Sequence, residues 1–97
     1  MARLTDLEVE DGLSALDGWR FATGEGPPSI EREFKLADFA AALAFVNRVG
    51  DAAEAADHHP DILLHGWNKV LLTLSTHSEG GLTKADFDLA GRIDGLS

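Results

Sequence analysis

The four histidines of this chain all fall between positions 58 and 77, at His58, His59, His65 and His77. Histidine has an unperturbed pKa of about 6.5, so it can give or take a proton near neutral pH with little tuning. Glu54 precedes His58 by four residues, a spacing that places both side chains on one face of a helix. A carboxylate there can orient the imidazole and favour its charged form, which indicates acid–base chemistry.

These residues also have structural interpretations. A Glu–His pair at this spacing can be an ordinary surface pair worth about 0.2–0.5 kcal/mol. Three imidazoles and a carboxylate could hold zinc, but adjacent His58 and His59 do not match the i, i+4 pair of a helical zinc motif, so we expect no metal. We expect His65 on a solvent face, and Trp19 and Trp67 as core anchors. Spacing alone leaves catalytic and structural roles open.

Composition narrows the class of protein. The 97 residues amount to one domain, which we assign to residues 1–97, and 17 acidic against 8 basic residues give a net charge of -9. That charge argues against nucleic-acid or anionic-membrane partners, which need a basic surface. The chain has no cysteine, which excludes disulfides and thiolate sites. No apolar stretch approaches the roughly 18–20 residues of a membrane span, and the first ten residues lack a signal core, so we expect a cytoplasmic protein.

Capping signals and turn residues predict the first elements. Thr5 and Glu8 form a capping box that starts a helix, and Gly18 is expected to end it. Residues 19–23 and 30–36 have the character of strands on either side of a Gly- and Pro-rich turn, and therefore predict a hairpin.

The second half of the chain predicts a long helix, a second strand pair and a final helix. The longest predicted helix covers residues 38–58, with an apolar stripe made of Phe39, Leu43, Val46, Val49 and Ala53. A second strand pair is predicted at residues 62–67 and 69–77. The last helix begins near Thr83, which forms a capping box with Asp86.

The resulting order, α-β-β-α-β-β-α, predicts an α+β fold with three helices on one face of a four-stranded antiparallel sheet. The other face and the edges of such a sheet stay partly uncovered, which favours self-association.

The chemistry-bearing residues also form one compound motif. It consists of an acid, a His-His-Pro tripeptide, an aromatic residue, a later histidine and an aspartate: Glu54, His58, His59, Pro60, Trp67, His77 and Asp86. This motif resembles the pterin-4a-carbinolamine dehydratase family, and the likeness covers most of the chain. The family's fold, three helices against a four-stranded antiparallel sheet, agrees with the predicted order.

The resemblance implies an enzyme that removes water from 4a-hydroxytetrahydrobiopterin and gives the quinonoid dihydropterin, in tetrahydropterin cofactor recycling. It implies that His58 and His77 are the acid–base pair, that Glu54 holds His58, and that His59 binds and orients the pterin. We therefore expect these four side chains to converge on one cleft. Further residues are expected to bind the substrate (Asp57, Pro60, Ser75, Thr76 and Ser78) or to support the pocket (Asp86 and Trp67).

The resemblance further implies that the reaction needs no cofactor and that the protein is a homodimer or homotetramer. The alternative is a non-enzymatic interaction module of the same fold, because some animal members also bind a dimeric transcription factor. The sequence does not specify such a partner.

Overall fold

A computed structural model describes residues 2–97, and its elements follow the predicted order α-β-β-α-β-β-α. The helices are α1 (Asp6–Ser14), α2 (Phe39–Ala56) and α3 (Lys84–Asp94), and the strands are β1 (Arg20–Phe21), β2 (Ile30–Lys35), β3 (Asp61–His65) and β4 (Lys69–Leu74). All strand pairs are antiparallel, in the order β1-β2-β4-β3. The predicted fold class is confirmed. None of the helices in residues 2–97 is long and apolar enough to cross a membrane.

Both predicted capping boxes are present. The Thr5 hydroxyl accepts a hydrogen bond from the Glu8 N–H, and the Glu8 carboxylate accepts one from the Thr5 N–H at 2.9 Å. Hydrogen bonds from the Thr5 backbone and side chain lower the pKa of Glu8 below its ordinary value of 4.5. Thr83 and Asp86 make the corresponding pair at α3. Helices α1 and α3 therefore begin at the residues that the two capping boxes predicted.

The first helix ends earlier than predicted, at Ser14 rather than near Gly18. The N–H groups of Ala15 and Leu16 donate to carbonyls three residues back, which tightens the last turn and stops the helix. Gly18 lies in the following turn with φ of +84°, where a Cβ would approach the Arg32 side chain to 2.8 Å. Glycine is needed here for a turn beyond the helix.

Helix α2 buries a face that matches the predicted stripe only in part, because Val49 and Ala53 of the stripe are buried. Its buried residues are Ala42, Phe45, Val49, Ala52 and Ala53. Phe39 and Leu43, at the start of the predicted stripe, are 50% and 45% exposed. Phe45 packs on Phe34 of β2 with ring centroids 4.8 Å apart.

Strand β4 supplies the centre of the core and then stops short of its predicted end. Val70, Leu72 and Leu74 are fully buried, as their alternation predicts. The strand ends at Leu74, and residues 77–79 form a single 3₁₀ turn closed by an isolated bridge between Thr76 and Gly81. His77 therefore lies on a turn rather than in the strand.

The two tryptophans have different environments. Trp19 is a core anchor, 5% exposed, and its Nε1–H donates to Asp94 Oδ1 at 2.8 Å. Trp67 is 61% exposed and has φ of +60° in the turn between β3 and β4. The prediction of a core role for Trp67 is wrong, because the β3–β4 turn carries its side chain away from the core.

Candidate functional site

The end of α2 determines where the paired histidines point. Asp57 adopts a left-handed conformation with φ of +49°. Its N–H donates to the Glu54 carbonyl, and the His58 N–H donates to the Ala53 carbonyl at 3.1 Å. These are the two hydrogen bonds of a Schellman motif, which turns the chain out of the helix. His58 therefore leaves the helical face that carries Glu54.

This turn overturns the predicted pairing of Glu54 with His58. Glu54 Oε2 instead lies 3.4 Å from His59 Nε2, and both of these side chains are exposed. His58 Nε2 lies 2.5 Å from Asp86 Oδ1, with the His58 side chain only 14% exposed. An i, i+4 pairing requires a helix that continues through residue 58, but α2 ends at Ala56.

Asp86 joins three separate stretches of the chain. Its carboxylate is fully buried, and besides His58 it accepts hydrogen bonds from the Thr83 N–H at 2.9 Å and the Thr76 hydroxyl at 2.8 Å. The Thr76 and Thr83 hydroxyls also lie 2.9 Å apart. Asp86 is thus more than the predicted helix cap, because it ties the start of α3 to the residues just before His59 and His77.

His59 and His77 line one cleft, whose volume is about 120 Å³. The strands contribute Asp61, Thr73 and Ser75 to its walls, and the β1–β2 connection contributes Glu25, Pro27 and Ser29. Thr73 and Ser75 alternate with buried Leu72 and Leu74, so the cleft opens on the sheet face opposite the helices. The distant histidine segments therefore meet at one concave site.

His58 lies outside that cleft and lines a cavity of about 240 Å³ between the end of α2 and α3. The expected convergence of four side chains on one cleft is therefore incomplete. His59 and His77 line the cleft, and Glu54 contacts His59 without lining the cleft itself. His58 instead contacts Asp86. Thr76, expected to bind substrate, is a partner of Asp86. Of the other residues expected to bind substrate, Ser75 lines the cleft, whereas Asp57, Pro60 and Ser78 do not.

Sequence reasoning missed the contributions of Asp61, Thr73 and the β1–β2 connection. The antiparallel register pairs Asp61 with Thr73, and Thr73 shares its strand face with Ser75. The alternation of Thr73 and Ser75 with leucines is visible in the sequence, and it could have placed Thr73 on the face of the cleft. For the β1–β2 connection the sequence predicted only a turn. The approach of Glu25, Pro27 and Ser29 to His59 depends on the tertiary fold.

His65 takes no part in either cavity. Its Nε2 hydrogen-bonds Glu33 Oε1 of β2, and both side chains are about 40% exposed. The expectation of a largely solvent-facing histidine matches this position. Within residues 2–97, no three His, Cys, Asp or Glu side chains are grouped closely enough to hold a metal ion.

A comparison with protein families decides the membership of this chain. The family described as Pterin 4 alpha carbinolamine dehydratase matches residues 2–96. The chain belongs to this family. The family that the compound motif predicted is therefore confirmed.

Individual relatives support the same membership. A protein of Acidobacterium capsulatum, provisionally named a pterin-4-alpha-carbinolamine dehydratase, is 49% identical over 96 residues, covering 99% of each chain. A similarly named protein of Roseiflexus castenholzii is 50% identical over 93 residues, covering 96% of this chain and 95% of its own.

Two solved structures share the pterin dehydratase fold. The transcriptional coactivator/pterin dehydratase of Brucella melitensis is 39% identical, with a TM-score of 0.87 over 97% of each chain. A pterin dehydratase-like protein identified as a RuBisCO assembly factor of the α-carboxysome is 29% identical, with a TM-score of 0.67 over 81% of this chain and 88% of its own. Members of this fold thus carry names for catalysis and for assembly.

Proposed function

We propose that this protein dehydrates a 4a-hydroxytetrahydropterin, such as 4a-hydroxytetrahydrobiopterin, to the quinonoid dihydropterin, using imidazoles as general acid and base. The observation that carries the proposal is the shared cleft of His59 and His77, in a chain of the pterin-4-alpha-carbinolamine dehydratase family. The reaction would serve tetrahydropterin cofactor recycling.

The reaction needs two proton transfers, which suit two imidazoles. Hydroxide is a poor leaving group, so an acid must protonate the oxygen on C4a. A base must take the proton from N5, so that the nitrogen lone pair forms the C=N bond as water departs. Each positioned group of this kind typically contributes about 10²–10⁴-fold in rate. His77 supplies one imidazole, and the His58–His59 pair supplies the other.

The cleft walls match the rest of a pterin. Asp61 and Glu25 carry carboxylates, which only accept hydrogen bonds when ionised, and the pterin's amino-pyrimidinone edge presents N–H donors. The hydroxyls of Ser29, Thr73 and Ser75 can serve the carbonyl and ring nitrogens. A small, flat, polar heterocycle therefore fits the donors and acceptors present.

The decisive assay follows the disappearance of chemically prepared 4a-hydroxytetrahydropterin by rapid-mixing absorbance. Wild-type protein should accelerate water loss, and a variant combining His59→Gln with His77→Gln should give the uncatalysed rate. Treatment with a chelator should leave the wild-type rate unchanged. An unaccelerated wild-type reaction, or a double variant as fast as wild type, would refute the dehydratase proposal.

The second candidate is an interaction module. It is favoured by the coactivator and assembly-factor names of the two structural relatives and by the apolar side chains of Phe39, Leu43, Leu63 and Trp67, which are 45–61% exposed. Folded protein that binds no pterin and gives no rate acceleration would favour this candidate.

A further inference from the structure

The open face of the sheet, opposite the helices, carries side chains in three rows that cross neighbouring strands. The first row sets Asp61 of β3 opposite Thr73 of β4, and both residues line the cleft. The second row is apolar and consists of Leu63 and Leu71. The third row is basic and consists of His65, Lys69 and Lys35. The character of this face therefore changes from polar to apolar to basic with distance from the cleft.

The basic row places like charges side by side. Lys35 of β2 and Lys69 of β4 lie directly opposite each other, an arrangement that destabilises a sheet. The two carboxylates that β2 adds to this face have other partners, because Glu33 pairs with His65 and Glu31 pairs with an arginine of β1. Among residues 2–97, neither lysine forms an ion pair. Positive charge is thus available at this row in a chain whose net charge is -9.

The distance from the cleft to the basic row suits a ligand with a long side chain. Lys69 is four residues along β4 from Thr73, which corresponds to about 13 Å at the rise of an antiparallel strand. A pterin side chain with a benzoyl-amide linker places its terminal carboxylates roughly 11 Å from the ring carbon that carries it, given bond lengths near 1.3–1.5 Å. The flexible stem of a lysine side chain can close the remaining distance.

We propose that this protein binds pterins whose side chain combines an aromatic linker with terminal carboxylates, and that Lys35 and Lys69 recognise those carboxylates. The proposal rests on the dehydratase function proposed above and names its substrate class. The pterin ring lies in the cleft, the linker packs on the apolar row, where Leu63 is 52% exposed, and the carboxylates reach the basic row. An uncharged dihydroxypropyl side chain is too short to reach the two lysines. The lysines thus determine specificity for the side chain and take no part in proton transfer.

The experiment compares two stable analogues that differ in their side chains. The ligand 7,8-dihydrofolate has the aromatic linker and two carboxylates, whereas 7,8-dihydropterin has no side chain. Isothermal titration calorimetry at low ionic strength measures Kd for both. We expect wild-type protein to bind dihydrofolate about tenfold more tightly, the effect of two exposed ion pairs. This advantage should shrink at high salt, because salt screens exposed charges.

Three variants assign the advantage to the two lysines. The double variant Lys35→Gln with Lys69→Gln should weaken dihydrofolate binding about fivefold, whereas Lys35→Arg with Lys69→Arg should retain it. The single variant Lys84→Gln removes a positive charge from α3, away from the sheet, and should also retain it. An unchanged Kd for dihydropterin checks that each variant keeps a folded cleft. In wild-type protein the ring signals of His65, which lies opposite Lys69, should shift in NMR spectra with dihydrofolate only.

The possible results separate this proposal from the proposed function. Equal Kd values of wild-type protein for the two ligands overturn the proposal. It is also overturned if the advantage survives the double glutamine variant, or if Lys84→Gln removes as much of it. Wild-type protein that binds neither ligand refutes the proposed function instead, so the two failures are distinguishable.

Discussion

At the scale of single residues, the left-handed conformation of Asp57 determines which side chains of the candidate site contact one another. The sequence correctly identified the histidine segments, because residue type carries the chemistry. It did not reveal that Asp57 is left-handed, and this residue directs Glu54 to His59 and His58 to Asp86. Left-handed non-glycine residues are uncommon, so a helix predicted to continue to His58 was the reasonable expectation. The sequence therefore predicted which residues form the site better than it predicted the contacts between them.

Asp57 itself gives a stability test of this turn. Glycine adopts the left-handed conformation without the Cβ clash that costs other residues about 1–2 kcal/mol. We expect Asp57→Gly to have a free energy of unfolding about 1 kcal/mol above that of Asp57→Ala, measured by urea denaturation. Equal stability of the two variants would mean that the chain does not take the left-handed turn at this position.

The tryptophans provide a second test at this scale. Trp19 is buried and hydrogen-bonded to Asp94, so Trp19→Ala should cost about 3–5 kcal/mol of unfolding free energy. Trp67 is exposed, and Trp67→Ala should change the stability of the single chain by only about 0.5 kcal/mol. The same denaturation experiment measures both; a comparable loss for the two variants would contradict their different environments.

At the scale of elements, the helix starts were predictable, whereas the buried face of α2 was predictable only in part. Capping boxes are local signals within four residues, so Thr5 and Thr83 located α1 and α3. Helix α2 carries apolar residues on more than one face. Periodicity identified Val49 and Ala53, but it does not decide which of Phe39 and Phe45 is buried.

The first capping box predicts a pH effect on stability. Hydrogen bonds from Thr5 lower the pKa of Glu8 in the folded state, so the ionised carboxylate stabilises the fold above its unfolded pKa. That contribution is lost as the pH falls through the folded-state pKa. We expect Glu8→Gln to lose less stability than wild type on acidification from about pH 5 to pH 3, followed by thermal midpoints. A constant offset between the two proteins at every pH would contradict this role.

At the scale of the whole molecule, the chain leaves much apolar surface open. Strand β3 is an edge of the sheet, and its Leu63 is 52% exposed, as is Phe39 of α2 at 50%. Unpaired strand edges are templates for association, which supports the predicted homodimer or homotetramer. The order of elements predicted this open edge, whereas the particular exposed side chains required the packed structure.

Sedimentation equilibrium tests the assembly. Wild-type protein should have the mass of two or four chains, and Leu63→Lys, which places a charge on the edge strand, should shift the distribution toward single chains. The control is Lys69→Arg on the inner strand β4, which preserves the charge at its position and should leave the mass distribution unchanged. A wild-type mass of one chain at all concentrations would rule out the predicted oligomer.

The central claim is that one pterin binds between His59 and His77, and histidine-resolved NMR with the stable analogue 7,8-dihydropterin tests it most directly. The ring C–H signals of all four histidines are assigned by substitution and followed during titration. We predict saturable shifts for His59 and His77, with His65, paired to Glu33 away from the cleft, unmoved. The account would be contradicted by saturable binding that shifts the signals of His65, or of His58 in the α2–α3 cavity, while the signals of His59 and His77 stay unchanged.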